Sequence, residues 1–186
     1  KQCKHFSILS PCIKAYKLYF CLRKCKIQMS EKFHINNSGL ALCNPFIPKL
    51  FSLLELTSEN RFKDSQSAER AVMLLQYLLF KNSNLPEQEL TFNKLLCGIA
   101  PSNSISCNLN VNSHEIEIMQ QMLEGIIQYW KHLGKTSVQG LIEAFLIRGG
   151  DLELVENSWQ LNVEQLGFDV LLDSLPWSYS PIKFAW

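Results

Sequence analysis

The sequence has 186 residues, enough for one domain with at most a small appendage, and its 47% hydrophobic content suits a packed core. No run approaches the ~18 consecutive apolar residues of a membrane span. Formal net charge is +1, but Lys1, Lys4, Lys14, Lys17, Arg23, Lys24 and Lys26 all precede the first acid, Glu31; the 11 basic and 17 acidic side chains beyond them argue against nucleic-acid binding by the body.

Residues 1–30 read as a basic, cysteine-containing leader outside the domain. Lysines interrupt its apolar residues throughout, unlike a secretory signal, and a short amphipathic helix near 13–22 is the ordered alternative. Met29-Ser30-Glu31-Lys32 has the form of a natural start. Cys3, Cys12, Cys21 and Cys25 lie in this leader; Cys43, Cys97 and Cys107 are scattered through the body. An odd count without recurrent spacing points to a reducing compartment rather than a disulfide framework. Cys21 and Cys25 with His5 or His34 can be drawn as a zinc site, but the paired CxxC spacing of structural zinc sites is missing.

Phe33 and Ile35, alternating with Lys32, His34 and Asn36, predict a short strand. Ser38 is placed to cap the apolar stretch that follows, in which Pro45 and Pro48 force a break near Asn44 and then a helix over 45–54. Residues 57–63 read as a polar loop. Asp64 or Ser65 then caps the central helix, in which Ala68, Ala71, Val72, Leu75, Leu78 and Leu79 draw one apolar stripe while Met73, Leu74, Tyr77 and Phe80 fill most of the opposite side. A helix apolar almost all round must be covered by its neighbours.

Pro86 opens a shorter helix over 87–97, with acids in its first turn and Gly98 as its stop. Residues 100–111 read as a Ser/Asn-rich surface loop with one extended piece. Asn112 and Glu115 form a capping box for a long helix carrying Ile116, Met119, Met122, Leu123, Ile126, Ile127, Trp130 and Leu133, closed by Gly134. Thr136 with Gln139 repeats the box and begins a helix over 137–147. The period then changes to two: Leu152, Leu154, Trp159, Leu161 and Val163 predict a β-hairpin turning at Asn157-Ser158. The expected fold is α+β and mainly helical: about five helices over 38–148, then a β-rich 151–186 with a small antiparallel sheet.

Chemistry-bearing motifs are scarce. The histidines fit no metal-ligand spacing, and His132, in the last turn of its helix, has a structural role beside the helix dipole. Gly39, Gly98 and Gly134 read as helix-end caps rather than parts of a phosphate loop. Gly134-Lys135-Thr136-Ser137 echoes the end of a P-loop without its upstream glycine. Cys97 reads as a small buried hydrophobe. Asn93 and Lys94, between Phe92 and Leu95, need partners within an apolar helix; Asn93 suits a backbone hydrogen bond, and Lys94 is drawn as a contact for an acidic partner surface.

The segment Asn36-Asn37-Ser38-Gly39-Leu40-Ala41-Leu42-Cys43-Asn44-Pro45-Phe46-Ile47-Pro48-Lys49-Leu50-Phe51 resembles the opening of the conserved domain in contractile injection system tape-measure proteins. So do Arg61-Phe62-Lys63-Asp64, Glu69-Arg70-Ala71-Val72, and Leu90-Thr91-Phe92-Asn93-Lys94-Leu95-Leu96-Cys97-Gly98. The likeness continues through Trp130, Leu133-Gly134-Lys135-Thr136-Ser137 and Phe168-Asp169-Val170-Leu171-Leu172-Asp173-Ser174-Leu175-Pro176-Trp177-Ser178. It departs from the family pattern at Ser38, where alanine is usual, and at Asn44, where histidine often precedes the proline.

The resemblance runs in a constant order from about Phe33 to Trp186, which makes residues 31–186 the family's conserved domain. It implies a non-enzymatic assembly role without a cofactor, anchoring a tape measure that sets the length of the inner tube of a phage-tail-like particle. The implied partners are tube, hub, baseplate or cap proteins, not nucleic acid or membrane. The implied location is the bacterial cytoplasm during assembly and the particle afterwards. Candidate partner-binding residues are Asn93, Lys94, Pro176, Trp177, Phe184 and Trp186. If Phe184 and Trp186 form an edge strand beside the hairpin, its open amides and carbonyls could be completed by a partner. Trp177 suits either core or interface. Two alternatives stand beside this: a small cysteine hydrolase using Cys43, Cys97 or Cys107, or an interaction module of another large assembly. A hydrolase would need its thiol in a cleft near His and Asn or Asp.

Overall fold

In the computed structural model, which describes residues 17–21, 32–82, 86–105, 109–155 and 158–178, the expected central helix is α2 (Ser65–Phe80). Asp64 caps it: the carboxylate accepts from the Ser67 amide at 2.7 Å, which holds the Asp64 carboxyl below its ordinary value. Leu75 and Leu78 are fully buried, and Met73 and Leu74 on the other side are buried as well. The other α-helices of the described residues are α1 (Ile47–Leu53), α3 (Thr91–Leu96), α4 (Ser113–Tyr129) and α5 (Val138–Leu141), with 3-10 turns at Ser38–Cys43, Glu87–Leu90, Lys131–Leu133 and Asp169–Ser174; α3 and the Glu87–Leu90 turn pack directly on α2. The fold is α+β and mainly helical.

The capping box of α4 is present as expected. Asn112 Oδ1 accepts from the Glu115 amide at 2.9 Å and Glu115 Oε2 accepts from the Asn112 amide at 3.0 Å. The same carboxylate is clamped by Arg70, whose Nε donates to Oε1 at 3.0 Å and whose Nη2 donates to Oε2 at 2.9 Å. One acid therefore both starts α4 and ties it to α2, a bidentate geometry that only a guanidinium supplies.

Several boundaries differ from expectation for identifiable reasons. Ser38 does not cap a helix: its hydroxyl donates to the carbonyls of Arg148 and Gly149 at 2.8 and 2.9 Å. The segment 87–97 divides into a 3-10 turn and α3, joined at Leu90–Thr91, and Thr91 Oγ1 donates to the Gln88 carbonyl. Ser137, not Thr136, caps α5, and the helix widens at once into a π-helical segment, Ile142–Leu146. His132 lies in the 3-10 turn after α4 rather than in the helix itself. The polar loop 57–63 holds a two-stranded ribbon, β3 (Thr57–Ser58) with β4 (Arg61–Phe62), whose turn residues Glu59 and Asn60 are left-handed. Gly98 and Gly134 have positive φ at helix ends, but Gly39 has another role. A Cβ there would lie 1.7 Å from the Phe145 carbonyl oxygen, so only glycine lets the 3-10 turn meet the π-helical segment.

The hairpin is β5 (Gly150–Val155) with β6 (Ser158–Val163), since Ser158 already pairs with Val155. Strand β2 (Lys32–Ile35) lies antiparallel against the outer side of β5, and β1 (Lys17–Cys21) against that of β6, giving the order β1-β6-β5-β2. One expectation is corrected here: residues 17–21 of the leader form a strand of the sheet rather than a helix or an unattached arm. Both flanks of the hairpin are thereby hydrogen-bonded; Phe184 and Trp186 lie outside the described residues. The register sorts β2, β5 and β6 by face: Phe33, Leu152 and Leu161 turn to the core, while Lys32 pairs with Asp151 at 3.2 Å and Glu153 at 3.0 Å on the polar face.

Candidate functional site

The two polar residues that stood out in the sequence are part of the interior. Asn37 Nδ2 donates to Asn93 Oδ1 at 2.9 Å, and Asn93 Nδ2 donates to Gln76 Oε1 at 2.7 Å. All three residues are buried, so the chain of amides stitches the turn after β2 to α3 and α2. The Lys94 side chain is 2% exposed; its ammonium donates to Glu87 Oε1 at 2.8 Å and to the Pro101 carbonyl at 3.2 Å. Glu87 also accepts from the Ile105 amide, and its carboxyl is held below the ordinary value chiefly by the Lys94 bond. Lys94 thus pins the loop after α3. Its burial corrects the expectation of a contact for an acidic partner: the ammonium has no open face to offer.

Two of the three candidate thiols, Cys43 and Cys97, are set in the interior as well. Cys43 and Cys97 are buried and free, and burial pushes the Cys43 thiol up to about 12 and Cys97 well above its ordinary value. Attack by sulfur requires the thiolate, which such surroundings disfavour. Cys107, like Cys25, is outside the described residues. His34 Nδ1 lies 3.1 Å from Asp151 Oδ1 on the polar face of the sheet. Among the described residues no group of three or more His, Cys, Asp and Glu side chains could hold a metal ion.

Between α1 and α4 the described residues leave an open trough with a volume of about 460 Å³. Phe46, Lys49, Leu50 and Leu53 line it from the α1 side, at the spacing of one helical face. Ile118, Gln121, Met122, Gly125 and Tyr129 line it from α4, again one face. Leu53 and Tyr129, 49% and 57% exposed, form its rims. Lys49 is its one charged residue. The midpoint, Gly125, is unusual. It lies inside a 17-residue helix, and a Cβ there would meet nothing within 4 Å. An interior glycine destabilises a helix by about 1 kcal/mol relative to alanine, and no neighbouring atom of the described fold requires it.

The tail is fastened beside this trough. Asp169 Oδ1 accepts from Arg148 Nη1 at 2.7 Å, and the buried guanidinium lies over the rings of Phe145 and Phe168. Trp130 Nε1 donates to Ser174 Oγ at 3.0 Å. Trp177 Nε1 donates to the Leu42 carbonyl at 3.1 Å; its half-buried ring stacks on Tyr129 at 5.7 Å and meets Phe46 edge-on at 5.0 Å. Trp177 therefore buttresses two residues of the trough while closing the tail onto the core. Pro176 beside it is exposed. Of the sequence candidates, Trp177 borders the trough through Phe46 and Tyr129, Pro176 is exposed next to it in the chain, Asn93 and Lys94 are interior, and Phe184 and Trp186 fall outside the described residues.

Ile118, Met122, Gly125 and Tyr129 were not singled out as site residues. The signal available was the isolated glycine inside an otherwise unbroken helical pattern, with Ile118 and Tyr129 lying off the predicted core stripe. Among the described residues no helix is long and apolar enough to cross a membrane. No curated protein and no solved structure matches the chain. Residues 23–186 match the family described as contractile injection system tape measure protein, a span that includes the buttressing Trp177, the α1/α4 trough and part of the basic leader. The chain belongs to that family.

Proposed function

We infer that this chain is the compact anchoring domain of a tape measure, holding it at one end of the inner tube while the tube grows to a set length. The family match over residues 23–186 carries this reading. An anchor of this kind acts by binding, without catalysis, and needs a rigid body with a surface left for a partner. The packed α2 core supplies the body, and the α1/α4 trough, buttressed by Trp177, supplies the surface. The partner is a tube, hub, baseplate or cap protein, met in the bacterial cytoplasm during assembly and retained in the finished particle. The test is to remove the coding sequence of this chain from a producing strain and measure tube lengths by electron microscopy. The reading expects tubes that are absent or widely scattered in length; particles with one sharp tube length would overturn it.

A further inference from the structure

We propose that the α1/α4 trough receives an amphipathic α-helix of a partner protein, with apolar side chains at i, i+3/4 and i+7 pointing to the floor and a carboxylate opposite Lys49. The proposal rests on the anchoring reading for the partner's identity as a particle component, but its chemistry comes from the trough alone.

Four observations converge. The α4 lining runs from Ile118 to Tyr129, which spans about 16 Å along the helix, or three turns of a helix laid beside it. The floor is built of Phe46, Leu50, Ile118 and Met122, the mixture of aromatic, branched and thioether groups on which an apolar helical face can seat. Gly125 lies at the middle of that floor, where the absent side chain allows a second backbone to approach closely. Lys49 lines the trough and forms no ion pair among the described residues, so a docked carboxylate would give it one.

Charge disfavours two other occupants. Residues 179–186 of this chain carry Lys183 as their one charge, the same sign as Lys49, and Pro181 interrupts a helix there. A second copy docked trough to trough about a two-fold axis would bring two Lys49 side chains into one interface whose lining holds no carboxylate.

The probe is a fluorescent, Leu-striped amphipathic peptide of about 14 residues with Glu along one flank, compared by anisotropy with its Lys-flanked counterpart on the full chain. The Glu peptide should bind the wild-type chain more tightly. Lys49→Glu should weaken it about threefold or more and reverse the preference between the two peptides. Gly125→Leu fills an open space, so the chain should melt no lower than wild type while binding falls by more than about tenfold. Equal binding of the two peptides, or wild-type binding by Gly125→Leu, overturns the proposal. If Gly125→Leu folds poorly, the Lys49→Glu reversal decides.

Two results would assign the trough elsewhere and also overturn it. One is a tenfold gain in peptide binding when Ile182, Phe184 and Trp186 are all replaced by Ser, the mark of the chain's own tail as occupant. The other is a dimer in sedimentation that Gly125→Leu dissolves. Peptide binding is read without particles and tube length without peptide. Sharp tubes after deletion with peptide binding intact would therefore defeat the anchoring reading and not the trough, and the converse pattern would defeat the trough alone.

Discussion

Two regions of this domain reverse the roles that their residue types suggest. Around α3, an amide and a lysine lie in an apolar run, the usual signature of a functional group, yet Asn93 and Lys94 are buried and bonded to Asn37, Gln76, Glu87 and Pro101. Around α4, an apolar stripe suggests core, yet Met122 of that stripe lines, with the exposed Tyr129 beside it, a trough that nothing among the described residues fills. The difference is one of completeness. A buried polar group must be satisfied from within, and once it is, little remains to offer a partner. An apolar face is satisfied only when covered, and between α1 and α4 no described residue supplies the cover.

That contrast can be broken most severely in the core. Leu75→Ala should destabilise the chain by about 2–5 kcal/mol, because the fully buried side chain leaves a cavity. Met122→Ala on the trough should cost less than about 1.5 kcal/mol, since half of its surroundings are already open. Chemical denaturation of both variants checks the pair; equal losses would mean that the trough is as well packed as the core.

Asn93→Ala comes next. It strips Asn37 Nδ2 and Gln76 Oε1 of their partners inside the protein, and about 1–3 kcal/mol of stability should go with it. If Asn93 instead acted at a surface, the variant would melt like the wild type.

Acid probes the Lys94 side more gently. The Glu87 carboxyl is lowered by its bond to Lys94, so its contribution is complete above the unfolded carboxyl's ordinary value of about 4.3 and is lost as pH falls through the lower folded value. Glu87→Gln should therefore reduce the acid sensitivity of the melting temperature below about pH 4 while leaving its slope near neutrality unchanged. An unaltered acid limb would show that the pair contributes nothing to linkage.

The smallest expected effect has the opposite sign. Gly125→Ala should raise stability by up to about 1 kcal/mol, because the helix gains a better former and the new methyl meets no atom. A loss would show that the glycine is needed by the fold rather than kept for something outside it.

The extent to which these regions were legible in the sequence follows from the range of the forces involved. Local rules carried far: the Asp64 cap, the Asn112–Glu115 box, the all-round burial of α2 and the β5–β6 hairpin each depend on residues close in the chain. Long-range partners did not show. Ser38 looks like a cap but serves Arg148 and Gly149, 110 and 111 positions away. Gly39 looks like a helix stop but is fixed by the carbonyl of Phe145. The leader's charges and irregular pattern gave no sign that Lys17–Cys21 would pair with β6, since an edge strand needs backbone groups and register more than a hydrophobic period. The trough was the hardest to see. Its lining residues share a helical spacing as core residues do, and short of the missing neighbour among the described residues only Gly125 and the off-stripe Ile118 and Tyr129 set them apart.

The most direct test of the central claim, that the domain works through the open face of α4 and not through chemistry in its interior, is the tube-length distribution of particles assembled with Gly125→Leu in the tape measure. The variant should melt at or above the wild-type temperature in isolation, yet yield few particles or tubes of scattered length. A stable variant that supports normal numbers of particles with a single sharp tube length would contradict the claim.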